Sequence, residues 1–126
     1  MIGARRFLIA FNINLATPDV EIARAIARKI RFSSGGLPAV KALGLFLASR
    51  RQAQVSINLT DFEVTTLCAA FAAVEAEARR YGAAISGTEL IGLIPRKALE
   101  TAVPCNLQFE NFHPDLVLEN RLEQLL

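Results

Sequence analysis

Residues 7–15 read FLIAFNINL, a run in which side chains of two kinds alternate. Alternation with a period of two is typical of a β-strand that buries one face. One face would carry Phe7, Ile9, Phe11, Ile13 and Leu15, and the other Leu8, Ala10, Asn12 and Asn14. The segment therefore predicts a first strand with one apolar and one mixed face.

Residues 53–59, AQVSINL, repeat the pattern, with Val55, Ile57 and Leu59 alternating with polar side chains. Two helical segments separate such runs, the first over residues 18–31 and the second after residue 60. Thr60 and Glu63 match the spacing of a capping box, which predicts that the second helix begins there. The order is strand, helix, strand, strand, helix, strand, followed by short C-terminal helices.

This order predicts an α+β fold, a ferredoxin-like βαββαβ sandwich within one domain spanning residues 1–126. Right-handed crossovers place both helices on one face of an antiparallel sheet. The opposite face, here called the open face, lacks a helical cover, and strands one and three lie at its centre. Their polar side chains meet there: Asn12, Asn14, Gln54, Ser56 and Asn58.

The amino-acid composition argues against a polyanion-binding protein and against a membrane-spanning one. The net charge is +2, too small to indicate polyanion binding, while 52% of residues are hydrophobic and 21% charged. No apolar run reaches the ~20 residues that a membrane-spanning helix needs. The apolar excess favours a face covered by a partner. Cys68 and Cys105 lie outside any CxxC motif, which favours two reduced thiols and a cytoplasmic protein.

The open face has two interpretations. Its amides could bind a ligand rich in hydrogen-bonding edges, such as a pterin, or could pack against another sheet. Buried polar groups must be paired in either case. Arg31 and Lys41 flank the loop at residues 33–36 and could bind carboxylates, or they could be solvated charges.

Catalytic groups are scarce. His113 precedes Pro114, where a helix cap is the more natural role, and a single histidine gives neither a nucleophile–histidine set nor a metal site. Glu89 could act as a base or could make a contact at a subdomain rim. We therefore expect no catalytic residue and no metal ligand, and thus no self-sufficient active site.

Four runs resemble one known family: GARRFLIAFNINL (3–15), VKALG (40–44), AQVSINLTDFEVTTL (53–67) and GTELIGLIP (87–95). They are similar to the C-terminal subdomain of the formiminotransferase domain, which occurs in glutamate formiminotransferase and formiminotransferase-cyclodeaminase. The resemblance covers nearly the whole chain in the same order.

The resemblance implies transfer of a formimino group from N-formimino-glutamate to tetrahydrofolate in histidine breakdown. It implies two similar halves packed sheet to sheet with folate between them, the catalytic histidine lying in the N-terminal half. It also implies folate contact at Lys29, Ile30 and Arg31, and the VKALG motif adds Lys41 and Gly44. Alone, the chain is expected to form a homodimer through its open face.

Two other functions have the same topology. The first is a non-catalytic regulatory module that binds a small ligand and is stable without a partner half. The second is an RNA-binding module, which would stack bases on aromatic side chains of the central strands. The third strand has no aromatic residue, so we expect no nucleic acid partner.

Overall fold

The computed structural model of the chain describes residues 8–102, 107, 109 and 116–119. Within these residues the elements follow the predicted order. They are β1 (Ile9–Leu15), α1 (Val20–Ile30), β2 (Val40–Leu47), β3 (Gln52–Leu59), α2 (Leu67–Arg80), β4 (Ile85–Ile91) and α3 (Arg96–Ala102), with a short 3-10 turn at Phe32–Ser34. The predicted C-terminal helix over residues 115–126 lies mostly outside the described residues.

The sheet has the strand order β2-β3-β1-β4, and every neighbouring pair is antiparallel. Strands β1 and β3 are therefore central and adjacent. This is the order that a βαββαβ chain adopts when each right-handed crossover skips one strand position. The predicted α+β, ferredoxin-like class is confirmed.

The alternation predicted for β1 and β3 is also confirmed. Facing pairs such as Phe11 with Ile57 and Ile13 with Val55 lie on the helix side, and all four side chains are fully buried. Helix α1 contributes Ala23, Ile26, Ala27 and Ile30 to the same core, and α2 contributes Leu67, Ala70, Phe71, Val74 and Ala78. The two helices thus cover the apolar side of the sheet.

The predicted start of α2 is wrong. The helix begins at Leu67, and the Thr66 hydroxyl caps it by accepting a hydrogen bond from the Ala69 backbone N–H at 3.1 Å. The preceding residues form a turn, because the Asp61 carboxylate accepts the Glu63 N–H and the Asp61 carbonyl accepts two further N–H groups. A local Asx turn has replaced the capping box.

Glu63 instead joins this turn to α3. Its carboxylate accepts a hydrogen bond from the Lys97 ammonium at 2.7 Å. The pKa of Lys97 lies above its ordinary value because Glu63 both accepts this bond and adds a negative charge. Both side chains are exposed, so this ion pair is expected to add little to stability.

The expected reduced state of Cys68 is also corrected: the structure has this residue in a disulfide. Cys105, the other cysteine of the sequence, lies outside the described residues. No helix in the described ranges is long and apolar enough to cross a membrane.

Candidate functional site

The open face is built from three rows of side chains that cross all four strands. Strand pairing gives these rows as Lys41–Asn58–Ala10–Ile91, Leu43–Ser56–Asn12–Glu89 and Leu45–Gln54–Asn14–Gly87, each read from β2 to β4. Polar side chains occupy the two central strands, as the sequence predicted. The described rows hold one cation, Lys41 on edge strand β2, and one carboxylate, Glu89 on edge strand β4.

A chain of hydrogen bonds runs across the third row and into the second. The Gln54 amide nitrogen donates to the Asn14 side-chain oxygen at 2.7 Å, and the Asn14 amide nitrogen donates to Glu89 Oε1 at 3.1 Å. Asn14 is fully buried and Gln54 nearly so. These two amides are therefore satisfied within the sheet rather than by solvent, in keeping with the rule for buried polar groups.

The charge of Glu89 fixes the donor-to-acceptor direction along this series of hydrogen bonds. An ionised carboxylate can only accept hydrogen bonds, so Asn14 must turn its NH₂ group toward Glu89 and its oxygen toward Gln54. Glu89 Oε2 has no hydrogen-bond or ion-pair partner among the described residues. The arrangement holds one carboxylate oxygen of Glu89 in place.

Exposed apolar side chains surround this polar centre. Leu43 on β2 is 57% exposed, Leu8 just before β1 is 51% exposed and Ile91 on β4 is 48% exposed. Large exposed apolar side chains around polar groups are typical of surfaces that bind a ligand or another protein. A cover of mixed polarity would suit the open face better than water does.

The structure separates the predicted site residues into three groups. Lys29 and Ile30 line a cavity of about 390 Å³ between α1, α2 and the loop after α1. Arg31 and Gly44 line a smaller cavity of about 210 Å³ at the β2 edge. Lys41 lies on the open face. The predicted residues are thus not all brought together.

The cavity at the β2 edge is basic. Arg24 and Arg28 on α1 and Arg31 just after its end line it together with Leu43 and Gly44. Glu21 neutralises one of them through an ion pair with Arg24 at 2.8 Å. This edge of the sheet therefore carries positive charge close to the end of the open face that holds Lys41.

Gly44 explains how β2 reaches α1 at this cavity. A Cβ atom built on Gly44 would lie 2.4 Å from the Arg24 backbone nitrogen and 2.6 Å from its Cα. Only glycine fits so close a contact between strand and helix backbones. In the structure Gly44 therefore has a packing role beside whatever contact it makes with a ligand.

The link between Asn14 and Glu89 is the site feature that sequence reasoning missed. The alternation placed Asn14 on the open face, but the pairing of β1 with β4 brings Glu89 beside it. The described residues contain no group of three or more His, Cys, Asp or Glu side chains that could hold a metal ion. His113 lies outside the described residues.

Comparison with known proteins gives one consistent family. The formiminotransferase domain model matches residues 10–120. The chain is 46% identical over 122 residues to the glutamate formimidoyltransferase of Streptococcus pyogenes, covering 96% of this chain and 41% of that protein. It is 41% identical over 124 residues to that of Thermoplasma acidophilum, with 98% and 41% covered.

A mouse relative is longer still. The chain is 44% identical over 103 residues to the formimidoyltransferase-cyclodeaminase of Mus musculus, which covers 77% of this chain and 19% of that protein. The chain therefore spans about two fifths of the length of the glutamate formimidoyltransferases it matches.

Proposed function

Because the chain belongs to the formiminotransferase domain family, we propose that it is the folate-binding half of a formiminotransferase module. The module transfers a formimino group from N-formimino-glutamate to tetrahydrofolate in histidine degradation. The relatives named glutamate formimidoyltransferase support the reaction. Tetrahydrofolate is the acceptor substrate, and no metal takes part in the proposal.

The observation that carries the proposal is the open face. Amide, hydroxyl and carboxylate groups are arranged in rows on it, and exposed apolar side chains surround them. A flat heteroaromatic ligand with hydrogen-bonding edges would suit the centre, and an N-terminal half packed sheet to sheet would cover the apolar surround. The basic β2 edge would attract the glutamate carboxylates of folate.

The chemistry requires more than the described residues provide. Transfer of the formimino carbon between two nitrogens needs proton transfer at both, and a positioned group with a pKa near the working pH usually performs it. The described rows of the open face contain Glu89 and Lys41 but no histidine. We assign the proton transfer to the N-terminal half. We propose a cytoplasmic location from the family's chemistry alone, since the disulfide at Cys68 removes the argument from reduced thiols.

An activity assay tests the proposal. The purified 126-residue chain should show no transfer from N-formimino-glutamate to tetrahydrofolate, and adding the N-terminal half as a separate chain should restore it. Turnover by the chain alone on the order of 10 per second, typical of an enzyme, would contradict the division of labour. Absence of activity in the combined halves would contradict the function.

The folate-contact residues implied by the family remain part of the proposal. Arg31 lines the basic cavity, whereas Arg79 lies near the end of α2 and forms an ion pair with Glu75. Arg31→Ala should weaken folate binding about tenfold or more, since hydrogen bonds between charged groups contribute roughly 1.5–3 kcal/mol. Arg79→Ala is the matched control. Equal affinities in a calorimetric titration with a folate analogue, in the presence of the N-terminal half, would remove Arg31 from the site.

Without its other half, the chain is expected to form a homodimer through the open face. Leu43 and Ser56 lie in the same row of that face, so a two-fold contact would bring copies of the row together. Ser56→Lys should disperse the dimer by placing like charges in the contact. Light scattering over a concentration series measures this, and a wild-type chain that stays monomeric at high concentration would contradict it.

A further inference from the structure

We propose that Glu89 and Lys41 bind the two ends of the folate, with the pterin at β4 and the glutamate at β2. This inference rests on the proposed function, and it assigns an orientation and two specificity residues to the open face. The Glu89 carboxylate accepts hydrogen bonds from the N–C–N edge of the pterin, formed by its ring N–H and its exocyclic amino group. The Lys41 ammonium pairs with a glutamate carboxylate.

Glu89 is held in the geometry that such an edge requires. Asn14 donates to Oε1, and Gln54 supports Asn14 from behind, so the carboxylate is anchored by two buried amides. Oε2 has no described partner. Carboxylates bind planar pairs of N–H donors in a bidentate manner, and such charge-assisted bonds are the stronger kind.

The rows set the distance between the two charges. Lys41 and Glu89 lie on opposite edge strands, three strand intervals apart, in adjacent rows of the open face. With neighbouring strands about 4.8 Å apart and same-face residues about 6.7 Å apart along a strand, their Cα atoms are separated by about 16 Å. A ligand that contacts both must be extended.

This separation distinguishes between the two substrates of the proposed reaction. N-formimino-glutamate also carries an N–C–N group and carboxylates, but a short aliphatic chain joins them and cannot reach from one edge of the sheet to the other. In folate, the p-aminobenzoyl spacer separates the pterin from the glutamate. The polar side chains between the two charges would then lie under that spacer: Asn12, Ser56 and Asn58.

Charge complementarity favours the same orientation. Glu89 is the only acid in the three rows, and it lies at the edge opposite Lys41 and the arginines of the basic cavity. The glutamate end of folate carries two carboxylates, which Glu89 would repel and the basic edge would attract. The reverse orientation would place carboxylates beside Glu89 and N–H donors beside Lys41.

Titration of the 126-residue chain, combined with the N-terminal half so that the open face is not taken up by a second copy, with three probes tests the assignment. Folic acid carries both ends, pteroic acid lacks the glutamate, and p-aminobenzoyl-glutamate lacks the pterin. Glu89→Gln keeps an oxygen for Asn14 but presents an NH₂ group to the pterin edge. It should weaken folic acid and pteroic acid about 10- to 100-fold and leave p-aminobenzoyl-glutamate unchanged.

Lys41→Gln should give the complementary pattern. It should weaken folic acid and p-aminobenzoyl-glutamate several-fold, since Lys41 is exposed and its ion pair is partly screened. Pteroic acid should be affected less, because its one carboxylate lies directly on the benzoyl ring and nearer to the pterin. Glu75→Gln is the matched control, since Glu75 lies on α2, across the sheet from the open face. Circular dichroism spectra and thermal midpoints would verify that each variant keeps the fold.

The outcomes separate this inference from the function on which it rests. If the combined wild-type halves bind none of the three probes, the folate-binding proposal fails and this inference fails with it. If folic acid binds but both variants bind it as the wild type does, only the orientation is wrong. If Glu89→Gln weakens N-formimino-glutamate and not pteroic acid, the carboxylate recognises the formimino group instead, and the assignment of the pterin is overturned.

Discussion

Thr88→Val should stabilise the protein, although it replaces a polar residue. Thr88 lies on β4 opposite Ile13, its side chain is fully buried on the helix side, and its hydroxyl oxygen has no hydrogen-bond partner within the part of the chain that the structure describes. A buried polar group without a partner costs about 1–3 kcal/mol. Valine has nearly the same shape and is also β-branched, so strand preference is retained.

The magnitude follows from this cost. Removing the unpaired hydroxyl and burying a methyl group should raise the free energy of unfolding by about 1–2 kcal/mol. For a chain of this length, that corresponds to a thermal midpoint about 3–8 °C higher. Urea unfolding should show a higher midpoint concentration with an unchanged slope, because the area exposed on unfolding is unchanged.

Thr65→Val is the matched control. Thr65 is also buried, but its hydroxyl donates a hydrogen bond to the Pro38 carbonyl. The same substitution there should lower the free energy of unfolding by about 1 kcal/mol, since it breaks a satisfied bond and orphans a carbonyl. If Thr88→Val destabilises the protein as Thr65→Val does, the Thr88 hydroxyl has a partner and the reasoning is refuted.

Three further outcomes are expected. Gly44→Ala should destabilise the fold by about 1–3 kcal/mol, because its Cβ would overlap the Arg24 backbone, and an unchanged urea midpoint would contradict the close contact. Thr66→Ala should lower the thermal midpoint through loss of about 1 kcal/mol of capping energy, while Thr66→Ser keeps the capping hydroxyl and should cost less; equal losses would contradict the cap. Thiol titration of unfolded protein purified without reductant should find Cys68 unreactive, whereas full reactivity would support the reduced state expected from the sequence.

The fold could be predicted because its signals are local. The alternation in β1 and β3 indicates which face of each strand is buried, and helix periodicity indicates which segments form the helical layer. Once the elements are known, the strand order follows from the right-handedness of the crossovers. The start of α2 could not be predicted in this way. Thr60 and Glu63 have the spacing of a capping box, but Asp61 competes for the same backbone N–H groups, and Glu63 pairs with Lys97 from a distant helix.

The candidate site was predicted only in part, for a similar reason. Alternation placed Asn14 and Gln54 on the open face, but only the register between β1 and β4 brings Glu89 against Asn14. That register is set by packing between segments about 75 residues apart. Local sequence patterns do not encode this register, so the sequence did not predict that Asn14 holds the Glu89 carboxylate.

The central position of β1 has a consequence for synthesis of the chain. This strand is made first, yet its neighbours β3 and β4 are residues 52–59 and 85–91. At about 5–20 residues per second, a ribosome takes seconds to complete the first neighbour and longer for the second. During that interval an apolar nascent strand has no sheet to join. Attachment of a chaperone to the emerging β1 segment would protect it, and slowing translation between β1 and β3 should lower the yield of folded protein.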